Sequence, residues 1–289
     1  MASSQINIGV EEVSCTMCTM NPKEILAALL LTVVLVPGTT HGQASFESLP
    51  DWSGVWRMVG NTVFDRATVN PDGDAGSPGV REHPPYTEEW EALYRQHIEL
   101  VKQRKFPDPF TSCGYPAGYP RIMNLPDVYE FVVRPEQVWI LAENGPNVVR
   151  IYTDGRNHPA PEDRWPTYSG DSVGHWEGDT LVFTTVSVKG WNTDRDSILD
   201  RTGLVISDQL RTTTRMRKID ENTIEAQMTL EDPKALTRPW LVTKRYVKQA
   251  KGTRMYDYGC AENNRNPVNE NGRTLTLGPD GKPLDRDVD

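Results

Sequence analysis

Residues 167–188 read Thr-Tyr-Ser-Gly-Asp-Ser-Val-Gly-His-Trp-Glu-Gly-Asp-Thr-Leu-Val-Phe-Thr-Thr-Val-Ser-Val, a pattern that few architectures accept. On one arm Val173, His175 and Glu177 alternate with Gly174 and Trp176. On the other, Leu181, Phe183 and Thr185 alternate with Val182, Thr184 and Val186. A period of two on both arms is the mark of paired strands. Glu177-Gly178-Asp179 between them supplies a residue free to take positive φ, so the stretch reads as a β-hairpin. Because His175 and Trp176 are consecutive, they go to opposite faces of the sheet, and one of them faces whatever the sheet encloses.

Similar stretches recur at short spacing, at 128–134, 137–143, 147–153, 170–176, 180–188, 210–219, 223–230 and 240–247. Reversals at 143–147, 177–179 and 220–222, rich in Gly, Asn and Asp, join neighbours as antiparallel hairpins. With Asp51-Trp52-Ser53-Gly54-Val55-Trp56-Arg57-Met58 as an opening strand there are about nine, in meander order and without alternating helices. The order predicts a mainly β fold, an antiparallel up-and-down lipocalin-like β-barrel, since closure removes exposed edges. A two-sheet β-sandwich is the alternative. Gly54-Val55-Trp56 is the G-x-W pattern with which lipocalin-type barrels begin, the Trp plugging the barrel floor. One helix is expected at 87–104, with Thr87 as cap, acids Glu88, Glu89 and Glu91 at its positive end and Lys102 near its negative end. Trp90, Leu93, Tyr94, His97 and Val101 form its apolar face, which makes His97 a packing residue.

The amino-terminal part reads as an export signal. An apolar run at 25–37 follows Lys23 and precedes Gly42-Gln43-Ala44, which places cleavage after Ala44 and the true start at Met17 or Met20. As a membrane anchor the run falls short of the roughly 20 residues a bilayer crossing needs. The expected organisation is therefore a signal peptide with extension (1–44), one barrel domain (45–265) including the helix, and a polar flexible tail (266–289), in a periplasmic or secreted protein. A net charge of −9 with no Lys/Arg cluster argues against nucleic acid and against anionic membrane surfaces as partners. Cys15 and Cys18 would leave with the signal, so their C-x-x-C spacing is not taken as a metal or redox centre. Cys113 and Cys260 remain and are expected to pair as a disulfide in an oxidising compartment.

No Gly-x-Ser-x-Gly, His-Glu-x-x-His or phosphate-binding glycine loop occurs, so no nucleotide cofactor or serine-hydrolase elbow is expected. The densest polar cluster is Arg150-Ile-Tyr-Thr-Asp-Gly-Arg-Asn-His-Pro159. Arg150, Tyr152 and Asp154 share one strand face, and Arg156 and His158 lie in the turn beyond it. Two readings stand: a ligand site for an anionic or phenolic group with a histidine base, or an Asp-Gly turn in which Asp154 bonds the loop backbone and pairs with Arg156. For His175, beside Trp176 and two positions from Glu177, two readings stand: an acid–base or binding group projecting into the barrel, or a satisfied structural histidine. The candidates are thus His175, His158, Asp154 and Glu177 for acid–base chemistry, and Tyr152, Arg156, Trp176, Arg150 and Tyr168 for ligand contact. No metal is expected, because no ligand spacing supports one.

The ordered set Ser53-Gly54-Val55-Trp56, Tyr86-Thr87-Glu88-Glu89-Trp90, Cys113 with Pro120-Arg121, Arg150 to Pro159, Ser172-Val-Gly-His-Trp-Glu-Gly-Asp-Thr-Leu-Val182, Glu231-Asp232-Pro233 and Pro239-Trp240 resembles a large group of exported bacterial proteins without an assigned function. Many members of that group carry His-Ser before the 210 strand and Cys-His-Glu near the end. This chain has Ile206-Ser207 and Cys260-Ala261-Glu262, which leaves His158 and His175 as the histidines of interest. The expected function is an exported carrier binding a small, largely apolar or aromatic molecule in the barrel interior. The alternative is a cofactor-independent isomerase, lyase or hydrolase with a histidine general base.

Overall fold

Val55–Met58 (β1), Val128–Val133 (β2), Gln137–Ala142 (β3), Val148–Tyr152 (β4), Asp171–Glu177 (β5), Thr180–Val186 (β6), Arg211–Asp220 (β7), Thr223–Glu231 (β8) and Trp240–Lys248 (β9) pair in chain order, and β9 returns to β1. The result is the closed, mainly β barrel that the period-two segments imply. The computed structural model describes residues 45–60, 62, 64–65, 83–103, 105, 107, 117–143, 148–191, 198–200 and 202–256. The proposed signal segment, the Cys113–Cys260 pair and the tail from 266 lie outside the described residues. Among the described residues there is one α-helix, Glu88–Lys102 (α1).

Every neighbouring pair is antiparallel except β4 and β5, which run the same way with Ile151 opposite Ser172 and Tyr152 opposite Val173. The uninterrupted meander is corrected at this point. Parallel neighbours need a crossover of a dozen or more residues, and 153–170 supplies it, with Pro159, Pro161 and Pro166 and one 3-10 turn at Pro161–Asp163. Side chains alternate identically in both kinds of pair, so alternation alone could not distinguish them.

Closure sends every second side chain inward. Tyr129, Ile140, Ile151, Met216, Met228 and Tyr246 are all 0% exposed. A side chain lining even a water-sized void would show accessible area, so no such void adjoins these positions. Burial is also why the Tyr129 and Tyr246 phenols are pushed up in pKa and stay neutral. Each finds a backbone partner: Tyr129 Oη donates to Ile122 O at 2.7 Å, and Tyr246 Oη donates to Met123 O at 2.8 Å. Beneath β5, β6 and β7 the lining turns polar but satisfied. Ser172 Oγ meets Thr185 Oγ1 at 2.8 Å, and Tyr119 Oη meets Thr214 Oγ1 at 2.6 Å.

Trp56 sits where the G-x-W pattern puts it, fully buried, with Nε1 donating to Trp52 O at 2.9 Å. The Trp52 ring then meets Phe131 at 6.1 Å and Trp176 at 5.5 Å, both edge-on, and stoppers that end of the barrel. The helix α1 buries Trp90, Tyr94 and His97. It is tied to the β8–β9 connection by Thr87 N to Ala235 O (2.9 Å) and Thr237 N to Pro85 O (2.8 Å). Thr87 occupies the N-cap position without capping, its hydroxyl donating to Lys234 O at 3.4 Å. His97 is the packing residue its helix face implies, with Nδ1 against Gly203 O at 2.8 Å and the ring against Trp191 at 4.5 Å. Burial pulls its pKa below the ordinary histidine value.

Trp56→Ala is expected to cost about 3–5 kcal/mol in urea unfolding. Arg57→Ala, at the next and exposed position, should stay within about 0.5 kcal/mol.

Candidate functional site

The hairpin of β5 and β6 decides where the histidines go. Ser172, Gly174 and Trp176 turn inward on β5, and Asp171, Val173, His175 and Glu177 turn outward. Gly174 has no room for a side chain: a Cβ there would lie 2.6 Å from Val182 O and 2.7 Å from Phe183 Cβ. Of the two readings of His175, the one that sends it into the barrel is therefore corrected. Trp176 takes the inward place because its ring packs on Trp52, whereas an imidazole would have to give up water to do so. Outside, His175 Nε2 lies 3.2 Å from Glu177 Oε1, and Arg215 Nη2 donates to Glu177 Oε2 at 2.8 Å. Arg215 first, and His175 after it, hold the Glu177 carboxyl below the usual range. The group is an exposed charge cluster.

The cluster around Asp154 takes the turn form. Arg156 Nη2 donates to Asp154 Oδ2 at 2.6 Å, Arg156 Nε to Oδ1 at 2.9 Å, and the Arg156 backbone N to the same Oδ1 at 3.2 Å. The guanidinium carbon lies 3.9 Å from the centre of the Tyr152 ring, a cation–π contact on the outer surface. The Arg156 guanidinium lowers the pKa of Asp154, whose carboxylate in turn raises that of Arg156. Gly155 at φ 85° makes the tight reversal possible. Arg150 is exposed on β4, and Tyr168 lies under Lys189 Nζ at 4.8 Å. Of the nine candidate side chains, then, Trp176 alone faces the core, and Tyr152, Asp154 and Arg156 are brought together outside it.

His158 is different. The crossover lays its ring, 11% exposed, on the outer face of β5 and β6, where Nδ1 bonds Asp171 Oδ1 and Nε2 lies 2.8 Å from Thr184 Oγ1. Asp154, the partner suggested by proximity in sequence, is occupied with Arg156 instead. Asp171 and Thr184 come together because β5 and β6 are in register: Asp171 faces Val186, and Thr184 faces Val173 one step along. In the neutral imidazole that carries its proton on Nδ1, toward the acceptor oxygens of Asp171, Nε2 accepts from the threonine hydroxyl.

A second feature follows from strand lengths. β1 begins at Val55, opposite Glu130, so Phe131–Val133 extend past it without a β1 partner. The segment 46–54 passes this gap and leaves a groove of about 520 Å³. Phe46, Leu49, Pro50, Trp52, Phe131 and Val133 line its apolar side, and Asp51, Ser53 and Glu130 are its polar groups. A smaller concavity of about 190 Å³ lies on the outer face among Thr180, Arg215, Arg217, Glu225 and Gln227.

No family model and no curated protein matches the chain. Among the described residues, no group of three or more His, Cys, Asp or Glu stands close enough to hold a metal ion, and no helix is long and apolar enough to cross a membrane.

The two histidine–acid neighbourhoods should differ in weight. His158→Ala breaks two partly buried hydrogen bonds and is expected to cost about 1–3 kcal/mol in urea unfolding. Asp154→Ala removes an exposed pair and should cost less than about 1 kcal/mol.

Proposed function

We propose that the chain is an exported barrel protein that binds a small, largely apolar molecule at the end of the barrel closed by Trp52. The observation that carries this reading is the groove beside β2. Its volume of about 520 Å³ falls in the range of small-molecule sites, and its aromatic and aliphatic wall faces a few polar groups able to orient a guest. The lumen is the less suitable place, since the guest would have to displace side chains that are 0% exposed. The apolar run at 25–37 with Gly42-Gln43-Ala44 supports export, and cleavage after Ala44 would leave Ser45 and Phe46 at the head of the segment that walls the groove.

A second reading, a cofactor-independent enzyme with His158 as general base, is favoured by the bonds that fix its ring between Asp171 and Thr184.

Titration with N-phenyl-1-naphthylamine, a neutral apolar fluorophore, tests the groove. A saturable rise in emission is expected, weakened about tenfold or more by Leu49→Lys, which puts a charge in the apolar wall. Equal binding by the variant, or no saturable signal, contradicts the proposal.

A further inference from the structure

We infer that Thr184, His158 and Asp171 form a nucleophile–base–orienter set that accepts the acyl group of a carboxylic ester onto Thr184 Oγ1. The inference rests on the second reading above and is independent of the groove.

Three observations carry it. The first is connectivity: a hydroxyl lies 2.8 Å from one imidazole nitrogen, and a carboxylate bonds the other. This is the connectivity by which a base and its orienter activate a hydroxyl for attack, and it is identified by geometry rather than by order in the chain. The second is the orientation of the ring. With Nδ1 bonded to Asp171, Nε2 is turned to the Thr184 hydroxyl, and in the neutral Nδ1–H tautomer it can take the Thr184 proton. The third is the setting. Thr184 is an outward residue of a central strand, held between Val173 on β5 and Thr213 on β7, so its backbone is fixed by pairing on both sides. Thr184 is half-buried and Asp171 is 29% exposed, so the set lies at the protein surface.

The step balances. Thr184 Oγ1 bonds to the ester carbonyl carbon as its proton passes to His158 Nε2. The carbon–oxygen bond to the alcohol then breaks, and the alkoxide leaves with that proton. Water reverses the sequence: His158 takes a water proton, hydroxide adds to the acyl carbon, and the proton returns to Thr184 Oγ1 as the acid departs. Thr184 and His158 touch the reacting atoms, and Asp171 acts through His158 as a positioning residue.

The test uses the full chain with p-nitrophenyl acetate, following p-nitrophenolate release and locating the acetyl group by peptide mass mapping. Acetyl on Thr184 is expected, retained in Thr184→Ser and absent from the near-isosteric Thr184→Val. Asp171→Asn should slow acylation by roughly 10²–10⁴-fold. Asp171→Glu, which restores a carboxylate, should recover much of that rate, whereas a purely structural role in holding the crossover would not distinguish the two variants. Acetyl found on His158 and not on Thr184 overturns the nucleophile assignment while leaving His158 as a reactive base. Acetyl confined to lysines in the folded chain, or release no faster than from His158→Gln, overturns this inference and the enzyme reading together.

Discussion

Closing nine short strands through the β1–β9 pair fixes how much interior the protein has, and its inward side chains consume that interior. Trp52, Trp56 and Trp240 are buried with Tyr129 and Tyr246 in one apolar cluster, which Trp90 joins from α1, and their bulk fills much of a barrel of this size. The remaining features follow from this filling. The inward hydroxyls of β5–β7 are paired with one another or with Tyr119 Oη, Lys244 is fully buried on the inward side of β9, and the histidines with acid partners in the hairpin region stand outside.

The crossover between β4 and β5 is the second organising element. An ordinary hairpin would have left the outer face of β5 and β6 bare. The parallel return instead drapes 153–170 there and brings His158 to Asp171, the first residue of β5. One connection thereby turns two in-register strand positions, Asp171 and Thr184, into partners of one imidazole. The Asp154–Arg156–Tyr152 turn at the start of the crossover is exposed and self-contained, which is why it holds the loop's shape and leaves His158 free to find its own acid.

Much of the fold was legible in the residues. The alternation in 167–188, the turn at Gly178 and the G-x-W opening led directly to the hairpin, the barrel and the buried Trp56. The helix was legible through its acidic start and its Trp90, Tyr94 and His97 face. Alternation also showed that His175 and Trp176 part company, but not which goes in; that depends on Trp52, a residue over a hundred positions away that needs an apolar partner. The pairing of His158 with Asp171 left no spacing signature, since it arises from a parallel neighbour. The one available signal was length: the stretch from Thr153 to Gly170 is too long for a hairpin turn and of the size a crossover requires. The groove was hidden for a similar reason, being created by a mismatch in the lengths of β1 and β2.

The central claim is that this barrel is full and that any guest sits at its end. Methyl-labelled NMR during titration with N-phenyl-1-naphthylamine addresses it directly. The methyl signals of Leu49, Val132 and Val133, beside the groove, are expected to shift, while those of Met216 and Met228 in the lumen stay in place. Shifts at Met216 and Met228 with Leu49 unmoved would mean that the interior opens to admit a ligand, and would contradict the account.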